Sequence, residues 1–286
     1  MSDQDHEIVS GLLQAYRAGI FPMADPDTGV IDWYSPDPRS LMPISIYPDH
    51  QGRCFHVSRS LARRLRSGHL VLTTDAAFTS VIRSCAEPRE ERPDSWIDER
   101  IIHAFTLLHH AGHAHSIEAW LPAGPLSVAA AAPSRPAQAY GRRRSDMHRR
   151  WTRSQHDSRS VTPVLSHDGL HVLVGGIYGV SIGSAFFAES MFCRPELGHR
   201  PGADGQAGNS PGTDASKVCL FHLVSHLHAR GYTVMDVQLR NSHTDQFGVY
   251  TVTRDTYLEM LAASCDRPTS WLPFDPARHV VPTRSP

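Results

Sequence analysis

The order of helix and strand signals predicts an α+β (α/β) fold, and two stretches carry the prediction. Residues 171–180 and 182–192 are β-rich runs around a tight turn at Ser181, the signature of a hairpin. Residues 214–238 read as a helix, a stop at Gly231 and a buried strand. In that helix Val218, Phe221, Val224 and Leu227, with Leu220 and Leu223 beside them, make one broad apolar face, and Asp214 or Ser216 is placed to cap its start. The strand ends in Asp236 and Gln238, which alternation puts on one face, within reach of each other. A carboxylate and an amide buried together must be hydrogen-bonded, which makes this strand end a place for chemistry.

Before this centre, residues 7–18 form an amphipathic helix with Val9, Leu12, Leu13 and Tyr16 on its buried side and Gly19 as its stop. The proline- and aromatic-rich run that follows predicts an irregular loop layer pinned by Phe21, Trp33 and Tyr34. Together these make a small N-terminal domain, residues 1–45, ahead of a main domain over 46–275. Residues 54–57 read as a strand, and Ser58 caps a helix that stops at Gly68. Arg59, Arg63 and Arg66 share one face of it at i, i+4 and i+7. That face reads as a solvated surface or, more sharply, as a stripe that tracks phosphates.

A strand at 69–74, helices at 76–85 and 98–111 and a strand at 115–120 come next. Residues 121–168 change character, with eight arginines against two aspartates between Pro133 and Ser160, and read as a basic, disordered insertion. A second low-complexity loop covers 195–213. After Gln238 come a strand at 249–253, a helix at 254–263 and a proline-rich tail that docks or frays.

Lys+Arg 28 against Asp+Glu 29 leaves the chain near neutral, so a polyanion has to be met by a local patch. Five scattered cysteines predict free thiols in a reducing compartment. With no signal pattern and no long apolar window, the expectation is a soluble cytoplasmic protein.

Several chemistries are set aside. His109, His110, His113 and His115 cluster in sequence, but Gly112 breaks the helix between them and no H-E-x-x-H acid is present. The glycines of 175–179 match neither a P-loop nor a dinucleotide fingerprint, and no G-x-S-x-G elbow exists. Elimination leaves Glu189, Asp236 and Gln238 as catalytic candidates, with a purely structural polar network as the other reading.

Tyr16-Arg-Ala-Gly-Ile-Phe-Pro22, Trp33-Tyr-Ser-Pro-Asp-Pro-Arg39, Ser95-Trp-Ile97, Gly112-His-Ala-His-Ser-Ile-Glu118, Leu173–Val180, Phe187-Ala-Glu-Ser-Met-Phe192, Ala215-Ser-Lys217 and Met235-Asp-Val-Gln238 occur in this order. Over residues 8–262, outside the two loops, the chain resembles the leucyl/phenylalanyl-tRNA–protein transferase family. The resemblance implies a GNAT-type acyltransferase core, no metal or coenzyme, and no membrane. It implies a reaction that moves Leu, Phe or Met from aminoacyl-tRNA to a protein beginning with Arg or Lys, marking that protein for proteolysis, and a monomer is expected.

By the same resemblance, Asp236 accepts a hydrogen bond from the Gln238 amide and so polarises the carbonyl that holds the incoming amine, with Glu189 beside it. Ile177, Phe186, Leu220 and Leu223 line the amino-acid pocket. Met23, Trp96 and Phe105 surround the terminal adenosine and its ester, and Arg59, Arg63 and Arg66 meet the acceptor stem. Met23, Phe105 and Ile177 stand where the family commonly has tryptophan, tyrosine, and methionine or leucine. Two alternatives carry other functions: an acyl-CoA N-acyltransferase, for which no pyrophosphate loop is found, and a non-catalytic tRNA-binding protein.

Overall fold

The computed structural model describes residues 1–88, 94–123, 163–195, 197 and 211–282. Met1–Leu121 with Leu173–Pro286 forms one compact unit, and Pro122–Val172 forms a second. Most of the insertions expected at 121–168 and 195–213 lies outside the described residues.

Helix α1 (Asp3–Arg17) begins earlier than its apolar period suggests, because Ser2 and Asp5 close a capping box. The run after it is regular, which corrects the expected loop layer. Strand β1 (Phe21–Ala24) pairs antiparallel with β2 (Ile31–Tyr34), placing Pro22 opposite Trp33. A two-stranded ribbon tolerates a proline that a central strand excludes. Phe21 is buried, whereas Trp33 and Tyr34 are 53% and 40% exposed.

A seven-stranded sheet follows, in the order β4-β5-β6-β7-β8-β3-β9. Its strands are β3 (Arg39–Leu41), β4 (Val71–Thr74), β5 (Ala114–Pro122), β6 (His171–Ile182), β7 (Ala185–Cys193), β8 (Val234–Gln238) and β9 (Tyr250–Val252). The fold is thus α+β. The hairpin β6–β7 forms, with its turn at Gly183–Ser184 rather than at the expected Ser181, and β7 runs parallel to β8 with Phe187 beside Asp236. Strand β3 enters this sheet between β8 and β9. Residues 54–57 carry no strand.

The helices are α2 (Arg59–Ser67), α3 (Phe78–Ala86), α4 (Glu99–His110), α5 (Ala215–Arg230), the short α6 (Ser242–Asp245) and α7 (Arg254–Cys265). Two adjacent glycines explain how α3 and α5 reach the sheet. A Cβ on Gly176 would lie 2.9 Å from Val81 of α3, and one on Gly175 only 2.6 Å from Ala215 at the start of α5. Neighbouring strand residues face opposite ways, so these helices cover opposite faces, and side chains there would hold both away.

Helix α5 is buried on most of its surface rather than along one stripe. Gly231 closes it in the left-handed region at φ 77, but Asp214 does not cap it. Asp214 instead sits at φ 61 and pairs with Lys217 at 3.0 Å. The tail docks: Trp271 stacks on His115 at 4.4 Å and on Phe186 at 5.6 Å.

Candidate active site

The C-terminal ends of the parallel strands β7 and β8 hold a buried polar cluster. Asp236 has no exposed surface, and its oxygens are fully engaged. Arg39 Nε donates to both oxygens at 3.0 Å, and Arg39 Nη2 and the Tyr257 hydroxyl each donate to Oδ2 at 2.6 Å. The fourth donor group is the backbone N–H of Gln238, at 2.8 Å from Oδ1.

Arg39 is itself fully buried, against the rings of Phe21 and Tyr257 at 4.9 and 4.5 Å, and gives Nη1 to the Gly19 carbonyl. Burial alone disfavours its charge, but the Asp236 bonds outweigh that and raise its pKa. Burial, with the Asp236 charge beside it, raises the Tyr257 hydroxyl as well, keeping it protonated as a donor.

This geometry alters the expected link between Asp236 and Gln238. It is the main-chain amide of Gln238 that Asp236 holds, at φ +55, a left-handed conformation that ordinary residues adopt at a cost of about 1–3 kcal/mol. The side-chain amide turns instead to Glu189, with Nε2 donating to Oε1 at 3.3 Å. Strand alternation does place Asp236 and Gln238 together, but the partner that orients the Gln238 carboxamide is the other acid.

Glu189 reaches that position through a β-bulge. Tyr178 pairs with Ser190 and Gly179 with Ala188, so Glu189 is the extra residue of β7. Its Oε1 also accepts the Tyr16 hydroxyl at 2.7 Å, and no bond to Oε2 is made among the described residues. Desolvation lifts its pKa to about 8, aided by the Asp236 charge and opposed by Tyr16 and Arg39. Tyr16 is fully buried on α1, tilted against Phe187 at 4.8 Å and edge-on to Phe105 at 6.4 Å. Burial and the Glu189 charge hold its hydroxyl protonated. Tyr16, Arg39 and Tyr257 are thus the residues that sequence reasoning left without a role. For Tyr16 the usable signal was that a tyrosine on an apolar helix face needs an acceptor.

The remaining expected site residues fall into three groups. Phe105 joins the cluster through Tyr16 and Tyr178, at 5.7 Å from the latter ring. Met23 and Trp96, both half-buried, lie near each other, the Trp96 carbonyl accepting the Ala24 N–H beside Met23. Ile177, Phe186, Leu220 and Leu223 are closed core, each at most 3% exposed. Ile177 shares the face of Gly175, which packs on α5, and Phe186 stacks on Trp271, so this group lies across the sheet from Tyr178, Phe187 and Tyr16.

On α2, Arg59, Arg63 and Arg66 are exposed, and Arg66 gives Nη1 to the Pro282 carbonyl. Arg64 alone turns inward, to the carbonyls of Pro211 and Thr213 ahead of α5. The histidine run is used structurally: His109 Nδ1 donates to the Ala114 carbonyl and His115 Nδ1 to Asp75, both at 2.8 Å. Among the described residues, no group of three or more histidines, cysteines or acids is placed to hold a metal ion.

The cluster can orient a carboxamide carbonyl and present a carboxyl of matched basicity to an amine, the equipment of an acyl-transfer enzyme whose substrate is already activated. The family comparisons give that class its particular form. A model described as leucyl/phenylalanyl-tRNA protein transferase matches residues 51–128, 156–200 and 205–262, and one for the N-terminal domain of the same enzyme matches 9–37. The leucyl/phenylalanyl-tRNA–protein transferase of Salinibacter ruber is 33% identical over 263 residues, covering 92% of this chain and 82% of its own. That of Zymomonas mobilis is 35% identical over 254 residues, 88% of this chain and 68% of its own, and that of Chlorobium luteolum is 31% identical over 264 residues, 92% and 98%. The chain belongs to the leucyl/phenylalanyl-tRNA–protein transferase family.

Proposed function

We infer that the protein is an aminoacyltransferase that moves an amino acid from aminoacyl-tRNA to the N-terminal amine of a protein, the activity its relatives are named for. Leucine and phenylalanine are the donors, with methionine as a third, and the acceptors begin with Arg or Lys and are thereby marked for N-degron proteolysis. The enzyme acts as a monomer in the cytoplasm on a GNAT-type core, with 1–45 as its N-terminal domain and 46–275 as its catalytic domain. Among the described residues no helix is long and apolar enough to cross a membrane.

The observation that carries the chemistry is the Tyr16–Glu189–Gln238 chain of hydrogen bonds, at 2.7 and 3.3 Å. An ester of tRNA needs no enzyme nucleophile, only a neutral amine aligned with its carbonyl. Gln238 Oε1, with its amide nitrogen committed to Glu189, accepts an N–H of the incoming amine. Ionised Glu189 takes the surplus proton of the ammonium form. A titration near 8 matches an α-amine, whose ordinary pKa is about 7.7–8.0, so the transfer is nearly level in energy. As the amine attacks and the ester C–O bond breaks, that proton passes to the departing ribose oxygen. The restored Glu189 carboxylate takes the second proton from the now cationic nitrogen and releases it to solvent, leaving a neutral amide and a free ribose hydroxyl. Asp236, with every oxygen engaged, positions Gln238 and accepts no proton. Met23, Trp96 and Phe105 surround the terminal adenosine, and the Arg59, Arg63 and Arg66 face meets the acceptor stem. Ile177, Phe186, Leu220 and Leu223, closed core on the other face of the sheet, back the site rather than receive the amino-acid side chain.

Transfer of radiolabelled Leu, Phe and Met from charged tRNA to an Arg-initiated peptide tests the function, with the N-acetylated peptide as control. Labelling that requires a free N-terminus supports the reading. tRNA binding without labelling by any donor would reduce the protein to an RNA-binding one.

A further inference from the structure

We propose that the cleft bounded by α1, α4 and the β1–β2 hairpin receives the acceptor polypeptide a few residues behind its reacting amine. The inference rests on the transfer reading above. The cleft, of about 450 Å³, is walled by Ile8 and Leu12 of α1, Ile31 and Trp33 of β2 and Ile101 of α4. An open apolar concavity of this size marks a binding surface more often than an accident of packing.

Its walls are the outer faces of the elements whose inner faces build the catalytic cluster. Ala15 lines the cleft while its neighbour Tyr16 donates to Glu189. Ala104 lines it while Phe105 packs on Tyr16. Pro22 lines it, paired with Trp33, while Phe21 lies against Arg39. A helix is about 10 Å thick, and an extended chain advances about 3.3–3.6 Å per residue. A polypeptide whose amine sits at Gln238 therefore brings about its third to fifth residues to the cleft.

Charge favours a cationic chain over RNA on this side. Residues 1–38 hold seven acids and a single basic residue, Arg17, whereas the nine residues of α2 hold four arginines. Glu7 lies on the cleft rim, exposed and without a hydrogen-bond or ion-pair partner among the described residues. Arg100, also on the rim, is held by Asp98 at 2.8 Å through Nε and gives Nη2 to the Gly29 carbonyl, so its charge is largely answered. A polypeptide starting with Arg or Lys is drawn to this face, and the acceptor stem to the face of α2.

Steady-state transfer to two acceptors tests the proposal: an Arg-Gly dipeptide amide, too short to reach the cleft, and an Arg-initiated decapeptide with leucines at positions 3–5. Gly11→Phe fills the cleft, since a Cβ at Gly11 meets nothing within 4 Å. It should raise KM for the decapeptide about tenfold or more, the factor that keeping one leucine side chain from burial carries. KM for aminoacyl-tRNA and the rate on the dipeptide should not move. Glu7→Lys, a surface change that leaves packing alone, should raise the decapeptide KM at low salt and less at high salt. An unchanged decapeptide KM in both variants would overturn the cleft assignment. So would a rise in KM for aminoacyl-tRNA instead, which would give the cleft to RNA. Failure of the wild type on both acceptors would remove the transfer reading itself.

Discussion

Arg39 is where one side chain bears most on the site. It answers a carboxylate that has no exposed surface, and removing one partner of such a pair leaves a buried charge uncompensated. Arg39→Ala should lower stability by about 3–5 kcal/mol in urea titrations. Glu189 gives a second prediction, with a sign. Its carboxyl titrates near 8 when folded against an ordinary 4.5, so the folded chain holds the proton more tightly. That contribution is complete below about pH 4.5 and is lost as pH rises to about 8. Glu189→Gln should flatten the fall in urea midpoint over this window, and it should abolish the rise in kcat through about pH 8 that ionisation of this base implies.

Asp236, Gln238 and Glu189 were legible as candidates in the sequence because polar residues within apolar strands stand out. Their pairing was not. A spacing of two residues places side chains on a common face, but it does not say that the backbone N–H takes the nearer carboxylate while the carboxamide takes the acid on the next strand. Nor does it reveal Arg39, which reaches Asp236 across 197 positions of chain.

At the scale of elements, apolar periods located the hairpin β6–β7, α5 and β8, since burial itself writes those patterns. The glycine pair 175–176 was visible only as a failed nucleotide fingerprint, and its use in admitting α3 and α5 from opposite faces needed the partners. The β1–β2 hairpin was missed because its prolines argue against strands while an isolated ribbon accepts them.

The tail offers a prediction of its own. His222 of α5 and His279 of the tail share a hydrogen bond between their Nδ1 atoms at 2.8 Å, and His226 lies 4.6 Å from the Trp271 ring. Burial, with the neighbouring His279, lowers His222 to about 3, and burial lowers His226 to about 4, the backbone of Trp271 opposing, with His279, Arg230 and His115 nearby. The unfolded chain takes these protons first, near its ordinary 6.5, so the stabilisation is complete above that pH and is lost as pH falls toward 4. Replacing both His222 and His226 with Phe should weaken the acid-side loss in urea midpoint, opposite in sign to the effect of Glu189→Gln.

Across the whole molecule, near-neutral composition conceals a division of charge between an acidic N-terminal stretch and a basic α2. The sequence exposed that division because Arg59, Arg63 and Arg66 repeat at helical spacing without acids between them. It could not show that Arg64, one position from Arg63, is spent holding the 211–213 carbonyls. Changing the three exposed arginines to Ala should weaken tRNA binding and lower the slope of log K against log salt by about one for each phosphate left unneutralised. An unchanged slope would return that face to solvent.

The proposed mechanism has Glu189 and Gln238 touching the amine while Asp236 acts only through the backbone it holds. Single-turnover transfer from leucyl-tRNA to an Arg-initiated peptide, measured from pH 6 to 9 for the wild type, Glu189→Gln and Asp236→Asn, tests this most directly. The wild-type rate should rise to a plateau through about pH 8, with that rise lost in Glu189→Gln and kept at reduced amplitude in Asp236→Asn. A rise that survives in Glu189→Gln and disappears in Asp236→Asn would contradict these roles and return the proton to Asp236.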